Sequence, residues 1–365
     1  MANPETVALA NSAHALPPGS RPVRKTDPNR WIELTVGVRR SVELPDLAAW
    51  DEIPPSQRVP LSRADVSAHH GPDPVALAAI GEWAIDHDLV VTRTDAISAR
   101  MGLGGTAASL CEAFEVELLD YEHDELGEFH ARTGPVRLPA RLANDVTGVF
   151  GFNNHPILQP WSDPINRVAK AGPWSMPPEL ARIYSCPAAN VPGRTIGLVQ
   201  FGAAGRTADV TAYFGKLGLA RPTVQVVPGD DCLSGSAARP KIVVYFSSFD
   251  EKGMVDILST VLADSDNDPS ILAISWGLAE SEALTGSWAW SPAVVEHVAQ
   301  SFLAAAHLGI SICADTSDAL AEARTERAAS AAGPLWASLI ARLKSMLYIE
   351  HMVGGDAAEL LAAFR

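Results

Sequence analysis

Thr195-Ile196-Gly197-Leu198-Val199-Gln200-Phe201 is a short, almost continuously apolar run, and a helix-forming stretch at 208–217 follows it. Runs of the same kind recur at 223–227, 241–246, 271–276 and 310–313. Helical stretches stand at 254–263, 292–307 and 335–347. Apolar strands alternating with helices predict a parallel sheet covered on both faces.

Upstream the pattern changes. Trp31-Ile32-Glu33-Leu34-Thr35-Val36-Gly37-Val38 alternates as a half-buried strand does. Ser62-Arg63-Ala64-Asp65 has capping-box form, so a short helix opens there. Asp73-Pro74 starts a longer one over 75–87, with Leu77, Ile80, Trp83 and Ala84 on one face. A strand pair is expected at 89–92 and 96–101, then a helix over 107–114 capped by Thr106, then a second pair at 118–121 and 128–131. That order predicts a small α+β sandwich. Residues 1–30, rich in Pro, Asn, Ser and Ala without periodicity, read as a mobile arm. The domains are therefore drawn at 31–152 and 179–365, joined by a proline-studded linker over 153–178.

A chain of 365 residues, 47% hydrophobic, has room for two or three cores. Its net charge of -15 repels nucleic acid and anionic membranes, so neither is expected as a partner. Cys111, Cys186, Cys232 and Cys313 show no Cys-x-x-Cys spacing, and free thiols are expected rather than a zinc site or disulfide framework. The opening residues lack a basic stretch followed by an apolar one, and the sequence reads as cytoplasmic.

Several phrases carry a resemblance. In the N-terminal part they are Ser62-Arg63-Ala64-Asp65 with His70-Gly71, then Gly105-Thr106 through Ala113-Phe114-Glu115-Val116, and Arg132-Thr133-Gly134-Pro135. Further on, Ala208-Asp209-Val210-Thr211-Ala212-Tyr213-Phe214, Ile274-Ser275-Trp276-Gly277 and Ser330-Ala331-Ala332-Gly333-Pro334-Leu335-Trp336 join them. Together these resemble the sedolisins, the kumamolisin-like serine-carboxyl peptidases. The resemblance implies a ferredoxin-like α+β pro-domain packed on its own catalytic domain, followed by a shortened subtilisin-like parallel-sheet domain. It also offers export as the alternative to a cytoplasmic location.

The same resemblance assigns Ser330 to the nucleophile position and Asp318 to the oxyanion aspartate, with Asp315 as a register alternative. Two features weaken both. Ala328-Ala329 replaces the family's Gly-Thr before the serine, and the Gly and Ser-Gly around the aspartate are lost. An ordinary hydroxyl and a plain helix cap are the simpler roles. A serine hydroxyl needs an adjacent base. Sedolisins supply it from a Glu-x-x-x-Asp helix between two strands, but here 228–240 carries only the neighbours Asp230 and Asp231. Glu350 and Asp356 are too few oxygens for the family's calcium, so no metal or other cofactor is expected.

The sequence thus reads as a sedolisin-like homologue that has lost proteolysis and acts through binding of a peptide, protein or small molecule. Trp276, Gly277 and Trp288 are its candidate cleft residues. Two alternatives stand beside it: a non-proteolytic enzyme in the vacated cleft, and a residual endopeptidase relying on Ser330 with Glu326 as base. A metal site from His123, Glu125, Glu128 and His130 is a lesser candidate against a solvated turn. Met101-Gly102-Leu103-Gly104-Gly105 lacks the framing of a phosphate loop.

Overall fold

The computed structural model describes residues 5–157 (except 14, 51–52 and 55–56), 159–160, 194–202, 224–227, 241–274, 276–277 and 290–314. Its N-terminal domain is built on an antiparallel sheet of order β4-β5-β3-β9. The strands are β3 (Trp31–Val38), β4 (Val90–Asp95), β5 (Arg100–Thr106) and β9 (Val146–Phe150). β2 (Arg21–Lys25), β6 (Glu117–His123) and β7 (Gly127–Thr133) make a second antiparallel sheet, and β1 (Thr6–Ala8) pairs with β8 (Arg137–Pro139). Two of these strands lie in the stretch expected as a mobile arm. Charge explains the docking of β2: Arg24 reaches Asp120 at 2.9 Å and Lys25 reaches Glu117 at 3.1 Å on the neighbouring strand.

The glycine-rich run also departs from expectation. Residues 96–99 form a turn, with Ala99 at φ 52°, and β5 begins at Arg100 and runs through the glycines. Bare backbone is needed there because neighbouring side chains lie flat across it. A Cβ on Gly104 would meet the Trp31 ring at 2.7 Å.

The helices start where the capping residues place them. Ser62 accepts from Asp65 N and Asp65 answers to Ser62 N, opening α1 (Arg63–His70). Asp73 caps α2 (Pro74–Asp86), and Thr106 caps α3 (Ala107–Ala113). Ala76, Ile80, Trp83 and Ala84 of α2 are buried, with the Trp83 ring edge-on to Phe114 at 5.0 Å.

The second domain holds a five-stranded sheet of order β12-β13-β11-β14-β16, every pair parallel. Its strands are β11 (Thr195–Phe201), β12 (Val224–Val227), β13 (Lys241–Ser247), β14 (Ile271–Ile274) and β16 (Ser311–Ala314). Asp250 accepts from Gly253 N at 2.7 Å and starts α4 (Glu251–Ala263). Ser291 and Pro292 start α5 (Pro292–His307). Both helices lie between the parallel sheet and the N-terminal domain. The fold is therefore mixed α/β: an antiparallel-sheet domain, then a parallel sheet with helices.

One hydrophobic core crosses the boundary. Leu44, Leu47, Val66, Ile97 and Phe150 join Val243 and Tyr245 of β13, Leu258 of α4 and Val294 of α5 in a single cluster. No helix among the described residues is long and apolar enough to cross a membrane.

Candidate functional site

Of the strand expected at 271–276, Ile271–Ile274 form β14. Trp276–Gly277 forms β15, which pairs antiparallel with β10 (Gln159–Pro160), Gln159 opposite Gly277 and Pro160 opposite Trp276. β15 thus lies just past the carboxyl end of β14, the end of a parallel sheet where ligands are bound. What occupies its edge is the chain's own linker.

The linker is held on its way there. Asn153 Oδ1 accepts from Arg132 N at 3.0 Å, and Asn154 Oδ1 accepts from His130 N at 2.7 Å, so this segment continues along β7. Ile157 N then donates to Phe249 O at 2.9 Å, and Trp290 Nε1 donates to Ile157 O at 3.1 Å. These last two bonds tie it to the second domain.

The two domains meet through a polar seam on top of the shared core. Arg100 of β5 is 3% exposed, and its guanidinium enters the gap between α4 and α5. Nη1 donates to Val255 O and Ser259 Oγ, and Nη2 to His297 O and Ser301 Oγ. Burial, ahead of every other influence, lowers its pKa to about 10, so it stays charged near neutrality. Asp256 of α4 accepts from Thr35 at 2.7 Å and pairs with Arg93 across the seam and Lys252 on its own helix. Burial alone would raise the Asp256 pKa, but the two cations outweigh it and the pKa is lowered. Glu251 is buried and accepts from Ser291 N at 2.7 Å, joining the starts of α4 and α5. Desolvation pushes its carboxyl pKa up.

A groove of about 390 Å³ runs beside this seam, between Arg93, Asp95 and Ile97 on one wall and Ser259, Thr260 and Ala263 on the other. It opens to solvent and its walls carry several hydroxyls.

Of the cleft residues expected from sequence, Trp276 and Gly277 fall on β15. Trp288, Asp318 and Ser330 lie outside the described residues, as do Asp230, Asp231, Asp315, Glu326, Glu350 and Asp356. The hairpin metal candidate is not assembled. His123 turns back to accept from Glu125 N and Leu126 N, while His130 points from the next strand into the interior at 6% exposure. No group of three metal-ligating side chains is present among the described residues. Sequence reading missed the seam itself. Arg100 at the head of a glycine-rich strand was its one signal, and only the fold shows what the guanidinium faces.

Residues 18–155 match the family model described as pro-kumamolisin, activation domain. The chain is 27% identical over 295 residues to kumamolisin of Bacillus sp. (strain MN-32), covering 72% of this chain and 52% of that protein. It is 25% identical over 337 residues to tripeptidyl-peptidase sed5 of Aspergillus fumigatus, covering 75% of this chain and 56% of that one. The chain thus spans about half the length of these curated relatives. Among solved structures, the Pseudomonas sedolisin complexed with two molecules of pseudo-iodotyrostatin is similar at 17% identity and a TM-score of 0.27, over 36% of this chain and 41% of that one. The N-terminal domain is therefore similar to a pro-kumamolisin activation domain. Beyond that domain the chain is similar to these two peptidases, with no relative above 27% identity among them.

Proposed function

We propose that this homologue does not cleave peptides, keeps its activation domain docked, and acts by binding an extended polypeptide along Trp276–Gly277. The observation that carries the first part is the connection from β12 to β13. These strands are parallel neighbours, with Val227 opposite Tyr245 and Val224 opposite Ile242, and thirteen residues, 228–240, join them. A crossover between parallel strands takes about a dozen residues or more when it includes a helix. Here Pro228, Gly229, Gly235 and Pro240 interrupt the stretch, and it contains no Glu-x-x-x-Asp. Asp230 and Asp231 are adjacent and cannot face one serine together as an i, i+4 pair would. On this reading Ser330 has no base, and it and Asp318 are vestiges.

Binding is supported by β10, an extended segment that already pairs with β15 in the manner of strand addition. The finer architecture fits the same reading: a ferredoxin-like pro-domain on a shortened subtilisin-like sheet.

The test is incubation of the purified chain and its Ser330→Ala variant with a diverse peptide pool between pH 3 and 7. The expected result is no cleavage by either protein. Cleavage by the wild type alone would sink the proposal.

A further inference from the structure

The two faces of β3 meet different surroundings. Ile32 and Leu34 are buried in the core of the N-terminal domain, while Trp31 and Glu33 stand on the opposite face of the sheet. On that face α4 reaches Thr35 through Asp256, and the strand before Thr35 is left open. Trp31 is 58% exposed, and the Glu33 side chain 40%.

Glycines shape this open shelf. A Cβ on Gly104 would stand 2.7 Å from Trp31 Cζ2 and 3.2 Å from Cε2, so the indole rests across bare backbone and turns its other face to solvent. A Cβ on Gly102 would overlap Thr92 Oγ1 and stand 2.7 Å from Arg93 Cγ. Beyond the ring, Thr92 Oγ1 donates to Glu33 Oε1 at 3.0 Å, and Arg93 Nε lies 3.7 Å from the same oxygen. Arg93 Nη2 serves Thr35 and Asp256. Among the described residues, Glu33 Oε2 and Arg93 Nη1 carry no hydrogen bond, which leaves an acceptor and a charged donor side by side. Arg93 is also a wall of the groove at the seam, where Ser67, Thr94 and Thr260 add hydroxyls. Thr35 is four residues, about 13 Å, past Trp31, so the stripe is longer than one sugar ring.

We infer that this stripe binds a neutral, β-linked oligosaccharide. A pyranose with equatorial substituents has a flat face of C–H groups, which the negative face of an indole attracts. Its neighbouring hydroxyls donate to Glu33 and accept from Arg93, both charge-assisted bonds. Other occupants fit less well. β4 is the sheet edge, but a bulge between Val91 and Arg93 breaks the ladder that an added peptide strand would need. A net charge of -15 disfavours nucleic acid. The inference concerns a surface of the N-terminal domain and stands whether or not the chain cleaves peptides.

The test is an NMR titration of the isotope-labelled full chain with cellotetraose and chitotetraose, each to about 10 mM, which saturates a millimolar site. The Trp31 indole signal is assigned by its loss in Trp31→Phe. At least one of the sugars is expected to shift that indole and the amides of 91–94 and 102–104 saturably. Trp31→Ala is expected to bind that sugar at least about tenfold more weakly. No saturable shift with either sugar, shifts centred elsewhere, or equal affinity of wild type and Trp31→Ala would overturn the inference. Movement of the same indole by a pool of extended peptides and by neither sugar would assign the shelf to a polypeptide and overturn it too. Should Trp31→Ala fail to fold, the wild-type shifts decide alone: saturable change centred on the indole upholds the site, and any other pattern refutes it.

Discussion

Arg100 on the N-terminal domain donates to the main-chain oxygen of His297 on α5, 3.1 Å away. With Val255 O, Ser259 Oγ and Ser301 Oγ, that oxygen is one of four acceptors on two helices that a single guanidinium from the other domain bridges. The seam is therefore specific as well as apolar. The proposed function depends on the N-terminal domain staying docked in this way.

Arg100→Met keeps much of the side-chain bulk but removes four buried charge-assisted hydrogen bonds that tie β5 to α4 and α5. The expected loss is about 2–4 kcal/mol, read from urea unfolding at pH 7. Arg100→Lys should recover only part of it, because an ammonium lacks the planar fork that spans two helices.

Gly37→Ala puts a methyl into the seat of the His297 ring. The ring is packed on its other sides, so overlap costs about 1–3 kcal/mol. Increased proteolytic nicking between the domains at neutral pH would accompany it.

Ser291→Ala removes the hydroxyl that accepts from Val294 N at 3.3 Å and opens α5. A loss of about 1 kcal/mol is expected in thermal or chemical unfolding. The Ser291 N–H to Glu251 bond involves main chain and should survive, so α4 should keep its hydrogen-exchange protection.

His130 is 6% exposed, and burial followed by Arg30 lowers its pKa to about 4. A depressed histidine favours the folded state above its unfolded value, and that contribution drains away as pH falls from about 6.5 to the folded value. His130→Gln should therefore flatten the decline of stability across this window by up to about 3 kcal/mol. Denaturation midpoints at half-unit pH steps measure it.

Much of the frame was legible because its signals are local. Ser62 with Asp65, Asp73-Pro74, Thr106 and Ser291-Pro292 each satisfy free N–H groups of the turn they begin, and such chemistry is written in four consecutive residues. The parallel strands were legible as apolar runs. β5 was not, because glycines signal loops by propensity and become strand here only through the side chains lying across them. β2 was missed for a similar reason: its place depends on acidic residues about 95 positions further on. At the site, Trp276 and Gly277 were named from the sequence with Trp288, but the strand partner of the first two, Gln159–Pro160, came from the linker, and no periodicity reports such a pairing.

The central claim is that no peptidase chemistry remains on this scaffold, and the chain's own linker is the nearest substrate it has. Intact mass spectrometry of the purified full chain, held for hours between pH 3 and 5, tests this beside the Ser330→Ala variant. The account predicts one unchanged mass for each protein. Loss of an N-terminal fragment from the wild type, with the variant intact, would contradict it.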